Sequence, residues 1–136
     1  MIKTKFSISV HIMTLLAMFK EDWLTSSHIA GSLNVNAVLV RKELSALKSI
    51  GLIESKEGKN GGVRILKDAN KIKMSDIFNV AKGSDNVLSL LKNTPNPKCL
   101  VGKQINEKLK PVLDSIDLAI TEELGKMTLE EFKNGF

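Results

Sequence analysis

The chain is poor in the residues that would staple it or do chemistry. It has one cysteine, Cys99, in 136 residues, so an internal disulfide framework is excluded. Its two histidines, His11 and His28, stand at unrelated positions, and no carboxylates cluster around them or around Cys99. That set offers no nucleophile–base pair and no metal-ligand spacing, which argues against an enzyme and against a metal centre. There is no run of about 18 apolar residues, so no transmembrane helix is expected. The N-terminal stretch MIKTKFSISVHIMTLLAMFKEDW starts basic and turns apolar, as a secretory leader does. His11 interrupts it and no small-residue cleavage site follows, so it reads as a core helix of a cytoplasmic protein. Prolines are also few, and Pro95, Pro97 and Pro111 all fall in the C-terminal part.

What is present is enough for a core: 43% hydrophobic and 26% charged residues. The length suits one domain, or one compact domain with an extension. Charge is unevenly placed. Residues 1–83 carry 13 Lys/Arg against 7 Asp/Glu, whereas residues 84–136 carry 7 against 8. A basic first part and a near-neutral second part suit a nucleic-acid reader, 1–83, joined to a protein-contact region, 84–136.

Helical periodicity runs from Phe6 to Phe19, with apolar residues on most sides, which predicts a buried helix. His11 lies among them and reads as a satisfied core histidine, with no second ligand at helical spacing. Thr25, Ser26 and Ser27 offer N-cap hydroxyls to a short helix ending near Leu33, in which Gly31 and Ser32 are small enough for close helix approach. Asn34-Val35-Asn36 is a turn, and Asn36 caps a second helix, Ala37 to Ile50, with Val40, Leu44 and Leu47 on its core side. Gly51 closes it. Two short strands follow, Leu52 to Lys56 and Val63 to Leu66, around a tip in which Gly58, Gly61 and Gly62 supply positive φ. This order predicts a mainly α fold with a small β-wing: a winged helix-turn-helix. A further helix over residues 72–81, with Ser75 as a cap, ends at Gly83. Residues 84–100 form a loop, or a short helix over 86–91 and then a loop. A long helix from about Leu100 to Leu124, interrupted by Pro111, and a last short helix opened by Thr128 and Glu131 complete the chain.

In a helix-turn-helix the start of the second helix enters the major groove. Arg41 is the first candidate for a base edge, since arginine pairs with guanine in a bidentate way; Asn36, Val38 and Leu39 lie beside it. Lys42, Lys48 and the N-cap amides suit phosphates, and Ser26 and Ser27 at the start of the preceding helix are further DNA-contact candidates. Lys56, Lys59, Asn60 and Arg64 would let the wing reach a minor groove or a phosphate track. The bland alternative is a solvated basic face. The long helix bears an apolar stripe, Ile105, Leu109, Val112, Leu113, Ile116 and Ile120, which a second copy of the chain would cover. Winged helices also serve as protein-interaction adaptors without DNA, and that alternative stays open here.

The segments TSSHIA (Thr25–Ala30), VNAVLVRKELSALKSIGLIES (Val35–Ser55), the glycine-rich tip Gly58–Gly62 and KMSDIF (Lys73–Phe78) resemble the Rrf2 family of bacterial winged-helix transcription regulators. Ala37 stands where one branch of that family has proline. The resemblance spans nearly the whole chain. It implies a homodimer on palindromic double-stranded DNA, with long helices crossing between subunits, and repression more often than activation. Well-known members hold an iron–sulfur cluster on three cysteines in the loop before the long helix. Here that loop, PNPKCLVG, has only Cys99, too few thiolates for a cluster. Another branch senses oxidants through a cysteine at a similar place. Cys99 is thus either a sensing thiol activated by the helix start and nearby Lys98 and Lys103, or a small packing residue.

Overall fold

A computed structural model describes residues 2–136. Six α-helices and a two-stranded sheet follow one another: α1 Lys5–Met18, α2 Ser26–Leu33, α3 Ala37–Ser49, β1 Ile53–Lys56, β2 Gly62–Ile65, α4 Met74–Lys82, α5 Leu100–Leu124 and α6 Leu129–Lys133, with a single 3-10 turn, Ala69–Lys71, before α4. The architecture is the expected winged helix-turn-helix with a long C-terminal helix.

Helix α1 is the floor of the core. Ile12, Met13 and Leu16 are fully buried, and around them close Ile29 of α2, Val40 and Leu47 of α3, Ile53 of β1 and Ile77 of α4. Burying side chains of this size stabilises the fold by about 1.5–3 kcal/mol each. His11, half-buried at the edge of this core, bonds through Nε2 to Ser32 Oγ at 2.8 Å, so it is satisfied within the protein. Ser32 therefore earns its place as a partner. Gly31 does not have the role expected of it: a Cβ there would meet nothing within 4 Å, so close helix approach is not why it is glycine.

The turn between α2 and α3 follows from two asparagines. Asn34 takes the left-handed conformation (φ 56°) that ends α2, with the Val35 N–H donating back to the Ala30 carbonyl. Asn36 then caps α3, its Oδ1 accepting from the Val38 N–H at 2.7 Å. At the far end Gly51 adopts φ 80°, and the Leu52 and Gly51 N–H groups donate to the carbonyls of Leu47 and Lys48, which fixes the exit into the wing.

β1 and β2 pair antiparallel, with Ile53 opposite Ile65, Glu54 opposite Arg64, Ser55 opposite Val63 and Lys56 opposite Gly62. Leu24 adds a one-residue third strand through reciprocal bonds with Val63 (2.9 and 2.8 Å). At the tip, Gly58, Gly62 and Asn60 have positive φ; Gly61 does not. Gly61 is required for a different reason: a Cβ there would lie 2.1 Å from the Lys56 carbonyl oxygen.

The expected Ser75 cap is not made. Ser75 is buried inside α4, and the helix opens instead with the Asp76 carboxylate accepting from the Lys73 N–H at 2.9 Å. Residues 86–91 form no helix. α5 runs through Pro111 without a break. The chain then returns to the first half. Met74 N–H donates to Met127 O and Leu129 N–H to Ile72 O, and Leu129 is fully buried in the common core. A boundary near residue 83 therefore does not separate two cores. Thr128 caps α6, its Oγ1 accepting from the Glu131 N–H at 3.1 Å.

Candidate nucleic-acid interface

The amphipathic split of α3 generates the site. Val40, Leu44 and Leu47 anchor the inner face, together with Glu43, whose side chain is also buried. The outer face of the first turns is left to solvent: Val38 is 62% and Leu39 37% exposed, and Arg41, Lys42 and Ser45 are exposed beside them. Two apolar side chains are held outward next to two cations, and neither cation has a hydrogen-bond or ion-pair partner among the described residues. They match a surface that offers both methyl groups and hydrogen-bond acceptors, as a major groove does. Asn36, itself exposed, uses its side-chain oxygen for the cap and has two amide N–H donors besides.

At α2 the cap is Thr25, whose Oγ1 accepts from the His28 N–H at 3.1 Å. Ser26 and Ser27 fall in the first turn, with Ser27 exposed, so their hydroxyls are not consumed by capping.

The wing residues sort into two groups. Lys59 and Asn60 are exposed at the tip, and Asn60 takes φ 65°. Lys48, Lys56 and Arg64 are engaged within the protein. Lys48 Nζ donates to Ser55 Oγ at 2.5 Å, tying α3 to β1. Arg64 Nε bonds Glu54 Oε1 at 2.8 Å, and its guanidinium lies 4.3 Å from the centre of the Trp23 ring. Lys56 Nζ lies 5.7 Å from the same ring. The parts played by Trp23 and Glu54 are not legible in the sequence, because they depend on strand register. The available signal was the single tryptophan, placed one residue before the apolar Leu24.

The long helix carries two different faces. Leu113, at 5% exposure, and Asp117 turn inward against α4, so Leu113 leaves the stripe expected to meet a second copy. Ile120 is half-buried and lines a cavity together with Phe6, Phe78 and Leu88. Val112 is 50% exposed, Ile105 is exposed, and Leu109 and Ile116 are half-buried; Val101, four residues before Ile105, extends this open apolar surface, whereas Leu118 is exposed on another side of the helix. The inner face includes a polar hub. The Asp117 carboxylate accepts from Asn86 Nδ2 (2.6 Å) and the Val87 N–H (3.1 Å), with Lys82 Nζ at 3.6 Å.

Cys99 is the exposed N-cap residue of α5. The backbone N–H of Gly102, and after it that of Val101, holds its thiol below the ordinary value. Among the described residues no group of three or more His, Cys, Asp and Glu is placed to hold a metal ion. No helix among them is long and apolar enough to cross a membrane.

A family model described as Rrf2, iron-dependent transcriptional regulator, matches residues 2–135. The chain belongs to the Rrf2 family. It is 31% identical over 134 residues to YwnA of Bacillus subtilis, a protein named as an HTH-type transcriptional regulator, with 98% of each chain covered. In structure it resembles a transcriptional regulator from Lactobacillus plantarum (TM-score 0.80, 21% identity, 97% of this chain and 89% of that one). It also resembles CymR, the global cysteine regulator of B. subtilis (TM-score 0.71, 24% identity, 98% and 96%). At those identities the two structures speak for the fold. As an Rrf2 protein the chain is a transcriptional regulator with a DNA-binding winged helix, not an enzyme. The iron of the family description does not fit its donor set: one exposed thiol per chain cannot supply the three thiolates of a family cluster.

Proposed function

We propose that this Rrf2 protein is a homodimeric repressor of a palindromic operator. The observation that carries the proposal is the outward face of α3, where Val38, Leu39, Arg41 and Lys42 stand exposed together. Arg41 reads a base edge, Val38 and Leu39 meet thymine methyl groups, and Asn36 donates beside them. Lys42, Ser26 and Ser27 hold the phosphate backbone, and the wing tip contacts it further out through Lys59 and Asn60. Lys48 and Arg64, and to a lesser degree Lys56, serve mainly to fix the reader's shape. The open apolar side of α5, with Ile105, Leu109, Val112 and Ile116, pairs with its copy and sets the distance between two readers.

Cys99 is the proposed switch: an exposed thiol with a lowered pKa, at the start of the pairing helix, is placed for an oxidant or electrophile to modify and so alter the pairing. Competition binding across operator variants tests the division of roles. Arg41→Ala should flatten preference at one base position by about 1–3 kcal/mol, whereas Lys59→Ala should weaken all sequences alike and lower the salt dependence. Equal effects of both substitutions on every sequence would reject it. If oxidation changed affinity as much in Cys99→Ser as in the unaltered protein, Cys99 would not be the switch.

A further inference from the structure

Glu54, Arg64 and Trp23 form a ladder across the wing. Glu54 and Arg64 are directly opposite in the β1–β2 register, and their side chains bond at 2.8 Å. Leu24 pairs with Val63 in the antiparallel sense, so Trp23, one residue earlier, stands opposite Arg64, one residue later. The guanidinium lies between carboxylate and indole, 4.3 Å from the ring centre. Lys56, two residues along β1 from Glu54 on the same side of the strand, also approaches the ring, at 5.7 Å. It can do so because its cross-strand partner is Gly62, which has no side chain. Gly62 also sits so close to the third strand that a Cβ would lie 2.5 Å from the Leu24 carbonyl oxygen. The hairpin is thus bonded to the α1–α2 connection through the Leu24–Val63 backbone bridge and stacked on it through Trp23. A two-stranded hairpin alone is marginally stable, and beyond this ladder the tip Glu57–Gly61 has no buried side chain to hold it.

We propose that Trp23 is the positioning residue of the wing. Through its stack with Arg64, it sets the angle at which Lys59 and Asn60 are delivered to the DNA flanking the sequence read by α3. Arg64 acts inside the ladder and not on a base. This rests on the proposed DNA-reading role of α3 and the wing, but the ladder itself can be measured without DNA.

The test uses the full-length protein with Trp23→Ala, Trp23→Phe, Arg64→Gln and Glu54→Gln. In free protein, amide hydrogen exchange of the wing should speed up in Trp23→Ala and Arg64→Gln and be largely restored in Trp23→Phe. The emission of the single tryptophan should shift in Arg64→Gln and, less, in Glu54→Gln. On operator DNA, hydroxyl-radical footprints should lose the flanking protections in Trp23→Ala while keeping those under α3, with affinity weakened by about ten-fold. The combined Trp23→Ala, Lys59→Ala variant should lose little more than either alone. Retained flanking protection in Trp23→Ala and Arg64→Gln, or fully additive losses, would overturn the positioning role. If Trp23→Ala does not fold, Arg64→Gln and Glu54→Gln carry the same comparison without creating a cavity. If the unaltered protein protects no DNA, the DNA-reading role fails and positioning on DNA fails with it. The exchange and emission results then decide separately whether the ladder holds the wing.

Discussion

Removing the carboxylate of Asp117 should cost more than any other single polar change in α5. Three groups converge on it from the end of α4 and the loop beyond: Lys82, Asn86 and the Val87 backbone. In Asp117→Ala the Val87 N–H and the Asn86 amide lose an acceptor in a place where Asp117 itself is 7% exposed. Asn86 Nδ2 keeps Asp114 Oδ1 as an acceptor at 2.9 Å, so only the half-buried Val87 N–H is stranded, at a cost of about 1–3 kcal/mol. The Lys82 ammonium loses its counter-charge, but its side chain is still 19% exposed and keeps some water, so the full penalty of about 3–5 kcal/mol for breaking a buried pair does not apply. A total of about 2 kcal/mol is expected, a sizeable share of the roughly 5–15 kcal/mol typical of a folded domain. Asp117→Asn keeps one acceptor oxygen for Val87 while presenting an N–H2 to Asn86 and Lys82, so about half that loss is expected. Urea unfolding followed by circular dichroism, at one fixed protein concentration because association shifts apparent stability, measures both. A loss below about 1 kcal/mol for the alanine variant would refute the hub as a buried anchor. An asparagine variant as damaged as the alanine variant would refute the assignment of separate bonds.

Gly31→Ala should stabilise by about 0.5–1 kcal/mol, because the position is helical and a Cβ meets nothing; destabilisation in the same urea assay would place an unseen contact there. Gly62→Ala should destabilise by about 1–3 kcal/mol, since φ is 149° and the new Cβ would press on the Leu24 carbonyl; an unchanged midpoint would contradict the bridge. The Cys99 thiol, lowered first by the Gly102 N–H and then by that of Val101, becomes thiolate at lower pH when folded than when unfolded. The alkylation rate of native protein should therefore inflect at lower pH than that of urea-unfolded protein, and coincident inflections would remove the helix start as the cause. Val112→Asp should shift the protein toward monomer in sedimentation without unfolding it, because Val112 is half exposed in the single chain; an unchanged dimer would move the pairing surface off this side of α5.

The parts of the fold that were legible in the sequence are those governed by local chemistry. Asn36 as a cap, Gly51 as a helix exit, the long period of α5 and the Thr128 cap all depend on neighbours within about four residues. What the sequence hid depends on register or on distant segments. Arg64 looks like a free cation until β1 and β2 pair, and only then do Glu54 and Trp23 stand beside it. Ser75 has the chemistry of a cap, but the backbone enters α4 paired with Met127 and Leu129, which moves the start to Lys73 and buries Ser75. Leu113 and Val112 are adjacent in one apolar stripe, and only the packing of α4 shows that Leu113 is buried within the chain while Val112, about 100° round the helix, stays half exposed. The candidate interface was more legible than the mechanical parts behind it, because exposed side chains on α3 follow from helical period alone.

In the proposed dimer, two copies of the α3 face read one symmetric DNA site. Selection of bound duplexes from a random pool by the full-length protein, at moderate salt, tests it most directly. The pool should be enriched in an inverted repeat whose half-sites lie about one helical turn, or a whole number of turns, apart, with the preference at one base of each half-site lost in Arg41→Ala. Enrichment of no sequence, or of a single unrepeated site unaffected by Arg41→Ala, would contradict it.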